Sequence, residues 1–480
     1  MKLQNSYFKL PKNFYKEQTP DKIKHPELIL FNKKLARELN LELDKDPKNL
    51  AQIFSGNKLL KNSKPISLAY AGHQFGNFVP QLGDGRAILL GEIINNKKQI
   101  FDIQLKGSGK TFFSRNGDGK CTINAAIREY LMSEAMHYLK VPTTRALALT
   151  KSNEFVQREI SLLGAKFIRI AKSHIRIGTF EYFAAQGDLK NVKILANYSI
   201  QRHYSKLKNH KNPYLSFLKE IIKSQAQLVS SWMSIGFIHG VMNTDNTSIS
   251  GQTIDYGPCA FLDEYEKDKV FSYIDRYGRY GFSNQKNIIL WNLSMLASCI
   301  LPLINLNTKK ATEIANKELS KFEKIFDGFY YQKMAKKIGL FNFNNSDQEL
   351  IDQFLTILEK NKIDFTNGFR ILSAVLDGKD FYVKNNEYQN WQEKWQKRVN
   401  QQNLTKTQII TKMNKINPAI IPRNHIVERI INKAAQNNDF SEMKSFLKIL
   451  EKPFIQTKEN EIYSKPPQEN ERVINTFCGT

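Results

Sequence analysis

The residues best equipped for chemistry lie in the stretch 239–257, HGVMNTDNTSISGQTIDYG. It brings His239, Asp245, Asn246 and Asp255 together in a short, polar, turn-rich segment. An amide oxygen and a carboxylate are hard donors, and Mg²⁺ takes only one or two such protein ligands, filling the rest with phosphate oxygens and water. Asn246 and Asp255 read as that pair, and Asp245 as a carboxylate able to accept a proton. The competing reading is a loop whose Asp and Asn side chains only make turns. Residues 243–246 are too polar to continue the apolar-faced segment before them. Ser250-Gly251-Gln252 reads as a tight turn between short strands at 247–249 and 253–255, which would bring Asn246 and Asp255 together at its open end.

The spacing is comparable with kinase-type catalytic loops, H-[RG]-D-x-x-x-x-N followed by D-F-G. His239, Gly240 and Asn246 fit, and Asp255-Tyr256-Gly257 stands in for D-F-G. Val241 occupies the place of the kinase's catalytic Asp and cannot accept a proton. Asp245 is the carboxylate that remains. The pattern is a kinase scaffold with its metal donors kept and its base displaced.

Such a site needs elements that hold a nucleotide, and residues 66–178 supply candidates. Residues 66–70 are strand-like. Gly83-Asp84-Gly85 reads as a turn between strands at 79–82 and 86–93, and a third strand at 99–105 ends on Lys106. A glycine turn lets backbone N–H groups approach phosphates, and Arg86 adds charge beside it. In kinases the phosphate-pairing Lys sits on the third strand, after such a loop. Gly107-Ser108-Gly109-Lys110-Thr111 resembles the end of a Walker A loop, but position 104, where that motif needs Gly, is Gln. A P-loop fold is therefore not expected. Asp118 and Gly119, in the loop RNGDGK, either touch the nucleotide or make the turn. Thr122 caps a helix expected over 123–139, whose Glu129 or Glu134 could fix Lys106. A hairpin is expected from 143–150 and 154–160 around Lys151-Ser152-Asn153. Arg169 and Arg176 are set among isoleucines in KFIRIAKSHIRIG and need anionic partners, either a polyphosphate or internal carboxylates.

The whole chain sets the frame. It has 480 residues and a formal net charge of +25. The charge is spread rather than blocked, no zinc-finger spacing occurs, and nucleic-acid binding is not expected. The four cysteines, Cys121, Cys259, Cys299 and Cys478, lack CxxC spacing, which fits a reducing compartment. The N-terminus lacks a signal-peptide core. The uncharged stretch 287–308 contains Asn292 and Pro302 and reads as a buried helix rather than a membrane span. An amphipathic helix over 213–236 leads into His239, and the chain to about residue 455 is mostly helical. Residues 28–39 and 47–54 have helical character within an N-terminal extension. The expected architecture is α+β: a two-lobed, protein-kinase-like fold with an extension over 1–60, a β-rich lobe over 61–165 and a mainly helical lobe, with its own extension, over 166–480.

Seven stretches carry a further resemblance: YAGHQFGNFVPQLGDGRA, DIQLKGSGKTFFSRNGDGK, REYLMSEAMH, PTTRALA, SHIRIGTFEYFA, HGVMNTDNTSISGQTIDYGP and the near-terminal Cys478. Together they resemble the selenoprotein O (SelO, YdiU) family over nearly the whole chain. The resemblance implies a kinase-like fold that binds ATP in a flipped orientation and transfers AMP to Ser, Thr or Tyr hydroxyls of proteins with Mg²⁺ or Mn²⁺. It implies nucleotide contacts from Gly83, Gly85, Arg86, Lys106, Asp118, Gly119, Arg169 and Arg176. Glu129 is then the partner of Lys106, Asp245 the proton acceptor, and Asn246 and Asp255 the metal ligands. In some relatives the terminal cysteine is selenocysteine, with a regulatory disulfide to the activation segment; Cys259 is the candidate partner of Cys478 here. The expectation is a cytoplasmic, monomeric enzyme acting on ATP and proteins. Two other readings stay open: a kinase with a displaced base, and a non-catalytic nucleotide-binding pseudokinase scaffold.

Overall fold

The apolar runs between residues 66 and 171 build one antiparallel sheet. The computed structural model describes residues 3–43 and 46–477. The sheet has eight strands, in the order Tyr15–Glu17, Ile66–Leu68, Ala87–Ile94, Ile100–Lys106, Ser161–Ala171, Arg145–Gln157 and Glu27–Phe31, with the short Cys121–Thr122 also pairing with Ser161–Ala171. Its central strands are buried on both faces, which is why they read as near-continuous Ile, Leu, Val and Ala rather than as strict alternation.

The helix Ile123–Tyr138 packs on this sheet, against Arg145–Gln157 and Ser161–Ala171. Thr122 caps it by accepting a hydrogen bond from the Ala125 N–H. From Ile177 onward the chain is mainly helical. The amphipathic segment forms Pro213–Ser234, capped by Asn212 and packed on Gln285–Ile304 and Phe322–Lys337. The fold is thus mixed α and β, with the sheet confined to the N-terminal part of the chain.

Several expectations change. The first 60 residues do not merely pack on the body: Tyr15–Glu17 and Glu27–Phe31 are the two outermost strands of the sheet. The stretch 28–39 splits into that second strand and the helix Lys33–Glu38, whereas Pro47–Phe54 forms its helix with Asp46 as cap. No turn occurs at Lys151-Ser152-Asn153. The strand Arg145–Gln157 runs through them, because Lys151 is paired with Glu27 on one side and Ala165 on the other. The reversal falls after Gln157, and Ser161–Ala171 crosses the boundary drawn at residue 165.

The strand before the glycine turn is Ile66–Leu68. Between them lies an inserted hairpin, Gly72–Gln74 with Asn77–Val79, in place of the strand expected at 79–82. Residues 247–255 do not form a hairpin of their own. Ser248 bridges to Arg176 and Thr253 to Thr143, so each flank of the Ser250-Gly251 turn is held by a different neighbour. Among the described residues, Gln285–Ile304 is the one helix long and apolar enough to cross a membrane, and half of its most apolar window is buried in the protein.

Candidate active site

The strand register explains why two cations meet. Gln104 and Lys106 are two residues apart and so share a face of their strand. Arg169 lies directly opposite Gln104 and donates to its Oε1 at 3.2 Å. Glu129 rises to this face from the helix behind. Its Oε2 is 2.5 Å from Lys106 Nζ, and its Oε1 accepts from Arg169 Nε at 2.7 Å. Glu134 does something else: it holds Arg145 through two hydrogen bonds of 2.8 Å.

Asp255 meets the same cluster from the loop side. Its Oδ1 lies 2.5 Å from Arg169 and 3.5 Å from Lys106, and its Oδ2 lies 3.5 Å from Arg176. Its backbone is left-handed, with φ of +62°, a geometry that Asp tolerates better than most residues. Burial pushes this carboxyl up, but Arg169, Lys106 and Arg176 outweigh it and hold it well below the usual carboxylate range. The Arg176 guanidinium lies 4.4 Å from the Tyr70 ring centroid and 3.7 Å from Asp84 Oδ1. Burial moves Asp84 the other way, upward. Three cations therefore share two firmly ionised carboxylates, and the surplus is positive.

That surplus lies at a cleft of about 650 Å³. Gly83, Gly85, Arg86, Lys106, Asp118, Gly119, Arg169, Arg176, Asp245, Asn246 and Asp255 all line it. Glu129, behind Lys106, is the one expected nucleotide-site residue set back from the wall. Gly83 is required by its backbone, with φ of +69° and the Phe113 ring packed where a Cβ would lie. Asp118 does not stand free at the rim: its Oδ2 is 2.8 Å from Arg158 Nη1. Arg158 and Tyr70 also belong to the cleft wall; Arg158 lies outside every motif, and Tyr70 opens the stretch YAGHQFGNFVPQLGDGRA without being singled out as a site residue.

The opposite wall is the loop 239–257. His239 Nε2 lies 2.8 Å from Ile254 O, which ties the two ends of the loop together. Asn292, inside the apolar helix, donates to Met242 O at 2.9 Å and to Thr247 Oγ1 at 2.8 Å. A buried amide that looked out of place in an apolar run thus holds this loop. Thr244–Asn246 is a short 3-10 turn. The inserted hairpin is fastened to it: His73 N–H donates to Thr244 Oγ1 at 2.7 Å, and Phe75 N–H donates to Asn243 Oδ1 at 3.1 Å. Glu181 bridges both parts, 2.6 Å from His73 Nδ1 and accepting from Thr244 Oγ1 at 2.5 Å.

Asp245 is buried, and its Oδ1 has no hydrogen-bond partner among the described residues. Burial pushes its pKa up to about 7, against the pull of Arg176. A carboxylate poised near neutrality is suited to general-base work. Asn246 donates its Nδ2 to Val241 O at 3.1 Å, which leaves its carbonyl oxygen as a donor for a cation. With Asp255 it makes two hard oxygen ligands, which suits an ion completed by phosphate and water. Among the described residues no cluster of three or more His, Cys, Asp or Glu forms a metal cage.

Comparison with known proteins decides the affiliation. The family model described as "Protein adenylyltransferase SelO" matches residues 1–451. The chain belongs to the SelO protein adenylyltransferase family. It is 49% identical to a protein nucleotidyltransferase YdiU of Maridesulfovibrio salexigens, over 100% of this chain and 98% of that protein. It is 46% identical to a protein of the same name from Agrobacterium fabrum, over the full length of both. A third, from Lachnoclostridium phytofermentans, is 45% identical over 100% of this chain and 99% of its own. Membership makes this SelO-family chain a nucleotidyltransferase with ATP as substrate. Cys478 lies outside the described residues.

Proposed function

We propose that this SelO-family protein transfers AMP from ATP to Ser, Thr or Tyr hydroxyls of proteins, with ATP bound in the flipped orientation. The observation that carries the reading is the placement of Asp245. It is a buried carboxylate with an unpartnered oxygen, lining the same cleft as a surplus of cations, while Val241 fills the usual kinase base position. Lys106, Arg169 and Arg176 seat the terminal phosphates. Asp245 accepts the proton of the acceptor hydroxyl, whose oxygen forms a bond to the α-phosphorus. The bond from that phosphorus to its bridging oxygen breaks, and pyrophosphate leaves. The same three cations offset its growing charge, the kind of electrostatic contribution that dominates phosphoryl and nucleotidyl transfer. Asn246 and Asp255 are the residues that would hold Mg²⁺ or Mn²⁺, which when bound adds to that charge compensation.

The reading includes a two-lobed, kinase-like arrangement, with the sheet and its helix as one lobe and the helices after Ile177 as the other. It also includes thiol control through Cys478. In support, Thr476, two residues earlier, donates from Oγ1 to Pro258 O at 2.6 Å, next to Cys259.

Intact-mass analysis after incubation with ATP and Mg²⁺, with and without an added acceptor protein, tests the function. An added mass of AMP is expected. An added phosphate would replace this reading with a kinase, and no added mass alongside ATP-induced thermal stabilisation would favour a scaffold.

A further inference from the structure

The segment 272–280 lies at the mouth of the cleft and turns a group of large side chains toward solvent, of which Tyr273 leans on the Phe477 ring. Tyr277 is 99% exposed, Ile274 53% and Tyr273 51%. Large apolar residues scattered singly need no explanation, but a contiguous set rimmed by charge marks an interaction surface. Here the rim is Arg276 and Arg279, and among the described residues neither pairs with a carboxylate. The Arg279 guanidinium rests 4.9 Å from the Trp291 ring centroid, and its buried Nε has no partner. Asp275, the one acid in the segment, is committed inward, accepting from Arg279 N–H at 2.9 Å and Tyr280 N–H at 2.7 Å.

This surface is continuous with the chemistry. A shallow hollow of about 340 Å³ is lined by Phe75, Ile274, Arg276, Tyr277 and Arg279 among others, and Phe75 and Ile274 line the large cleft as well. The link to the loop bearing Asp245 is direct. Tyr280 Oη donates to Asn243 Oδ1 at 2.5 Å, and Phe75 N–H donates to the same oxygen. Gly76 at the hairpin tip packs against the Arg279 guanidinium, which fixes the hollow's inner wall.

We propose that the hollow is the docking site of the acceptor polypeptide, and that it selects hydroxyl residues flanked by acidic side chains. The inference rests on the adenylyltransferase reading for what happens after docking. Tyr and Arg are the residues that most often dominate binding at protein interfaces, through rigid contact area and forked hydrogen bonding. Two arginines without a carboxylate partner among the described residues, one of them held in place by the Trp291 ring, favour carboxylates on the partner and disfavour lysines.

The test is fluorescence anisotropy on the full-length protein with two labelled peptides, a central serine flanked by glutamates and the same serine flanked by lysines. The glutamate peptide is expected to bind at least about tenfold more tightly. Arg276→Glu is expected to remove that preference, and Tyr277→Ala to weaken both peptides. Lys310→Glu, which changes charge by the same amount on an exposed helix elsewhere, is expected to leave it intact. Equal binding of both peptides, no binding of either, an unchanged Arg276→Glu, or an equal loss in Lys310→Glu would each overturn the assignment. AMP transfer is scored separately by mass. Selective binding without any transfer would leave the docking site standing and overturn the chemistry.

Discussion

Gly72 sits against the carboxylate of Asp245. A Cβ built on it would come within 2.6 Å of Asp245 Oδ1 and 2.9 Å of its Cβ. The preceding residue is equally confined, since Ala71 O lies 2.1 Å from where a Cβ on Gly178 would be. The inserted hairpin therefore passes through a slot just wide enough for bare backbone, and that slot fixes the back of the carboxylate.

Gly72→Ala is expected to displace Asp245 and cut AMP transfer by about 10²-fold or more, the range associated with a lost general base. ATP binding, carried by the cations across the cleft, should persist. Single-turnover transfer measured beside a thermal-shift titration with ATP separates the two. Unchanged transfer would mean that Asp245 is not the base.

The pH profile should report the same group. With a pKa of about 7 in the free enzyme, Asp245 is protonated and inactive as a base below neutrality. kcat/KM is expected to rise with pH and level off above that value. The sign for stability is opposite. The folded state binds the proton more tightly than the unfolded state, whose value is near 3.8. Stability is therefore lost as pH rises from about 4 to about 7. Asp245→Asn should abolish transfer, flatten that part of the stability profile and raise Tm at neutral pH. Transfer that does not vary across this range in wild type would contradict the assignment.

The two glutamates of one helix should separate cleanly. Glu129→Gln disturbs Lys106 and Arg169 together and is expected to weaken both ATP binding and transfer. Glu134→Gln disturbs Arg145 and Asn32 and is expected to lower Tm while the folded fraction still binds ATP. Isothermal titration with ATP on both variants checks this; equal losses of affinity would remove the special role of Glu129.

Asp255→Ala leaves Arg169, buried to 1% exposure of its side chain, with one carboxylate partner fewer. Because Arg169 keeps Glu129, the loss of stability is expected to fall below about 3–5 kcal/mol, the cost of a buried charge left wholly unpaired. Transfer should vanish. Phosphates can take over part of the lost pairing, so ATP should raise the variant's Tm at least as much as wild type's. A fully active variant would exclude Asp255 from the site.

Reduction should also matter if the C-terminal thiol regulates the enzyme. Transfer by wild type is expected to change on adding a reductant, and Cys478→Ala should remove that response. Equal activity with and without reductant in wild type would exclude thiol control.

The chemistry was more legible in the sequence than the scaffold. Lys106, Asp245, Asn246 and Asp255 stand out because each occupies a fixed place relative to a strand or a tight loop, whereas helical spacing left Glu129 and Glu134 equal and only the family resemblance chose between them. Arg169 and Arg176 stand out because a guanidinium among isoleucines must have an anionic partner. That both would share Asp255 was not visible, since they are far apart in the chain from the loop that pairs with them. The strand errors have one cause. Lys151-Ser152-Asn153 has turn composition, but pairing with Glu27 and Ala165 overrides local preference. Tyr15–Glu17 is three residues long, too short for any periodicity, and exists because Ile66–Leu68 offers it an edge.

That arrangement has a consequence for how the protein is made. Both margins of the sheet come from the first 31 residues, while the strand that receives Glu27–Phe31 runs from Arg145 to Gln157. During synthesis, Glu27–Phe31 must therefore wait until well over a hundred further residues have followed before its partner strand exists. Until then the growing sheet exposes a long apolar rim, the kind of surface that recruits other chains. Trimming the N-terminus should accordingly show itself first as aggregation during synthesis, before any loss of catalysis could be measured.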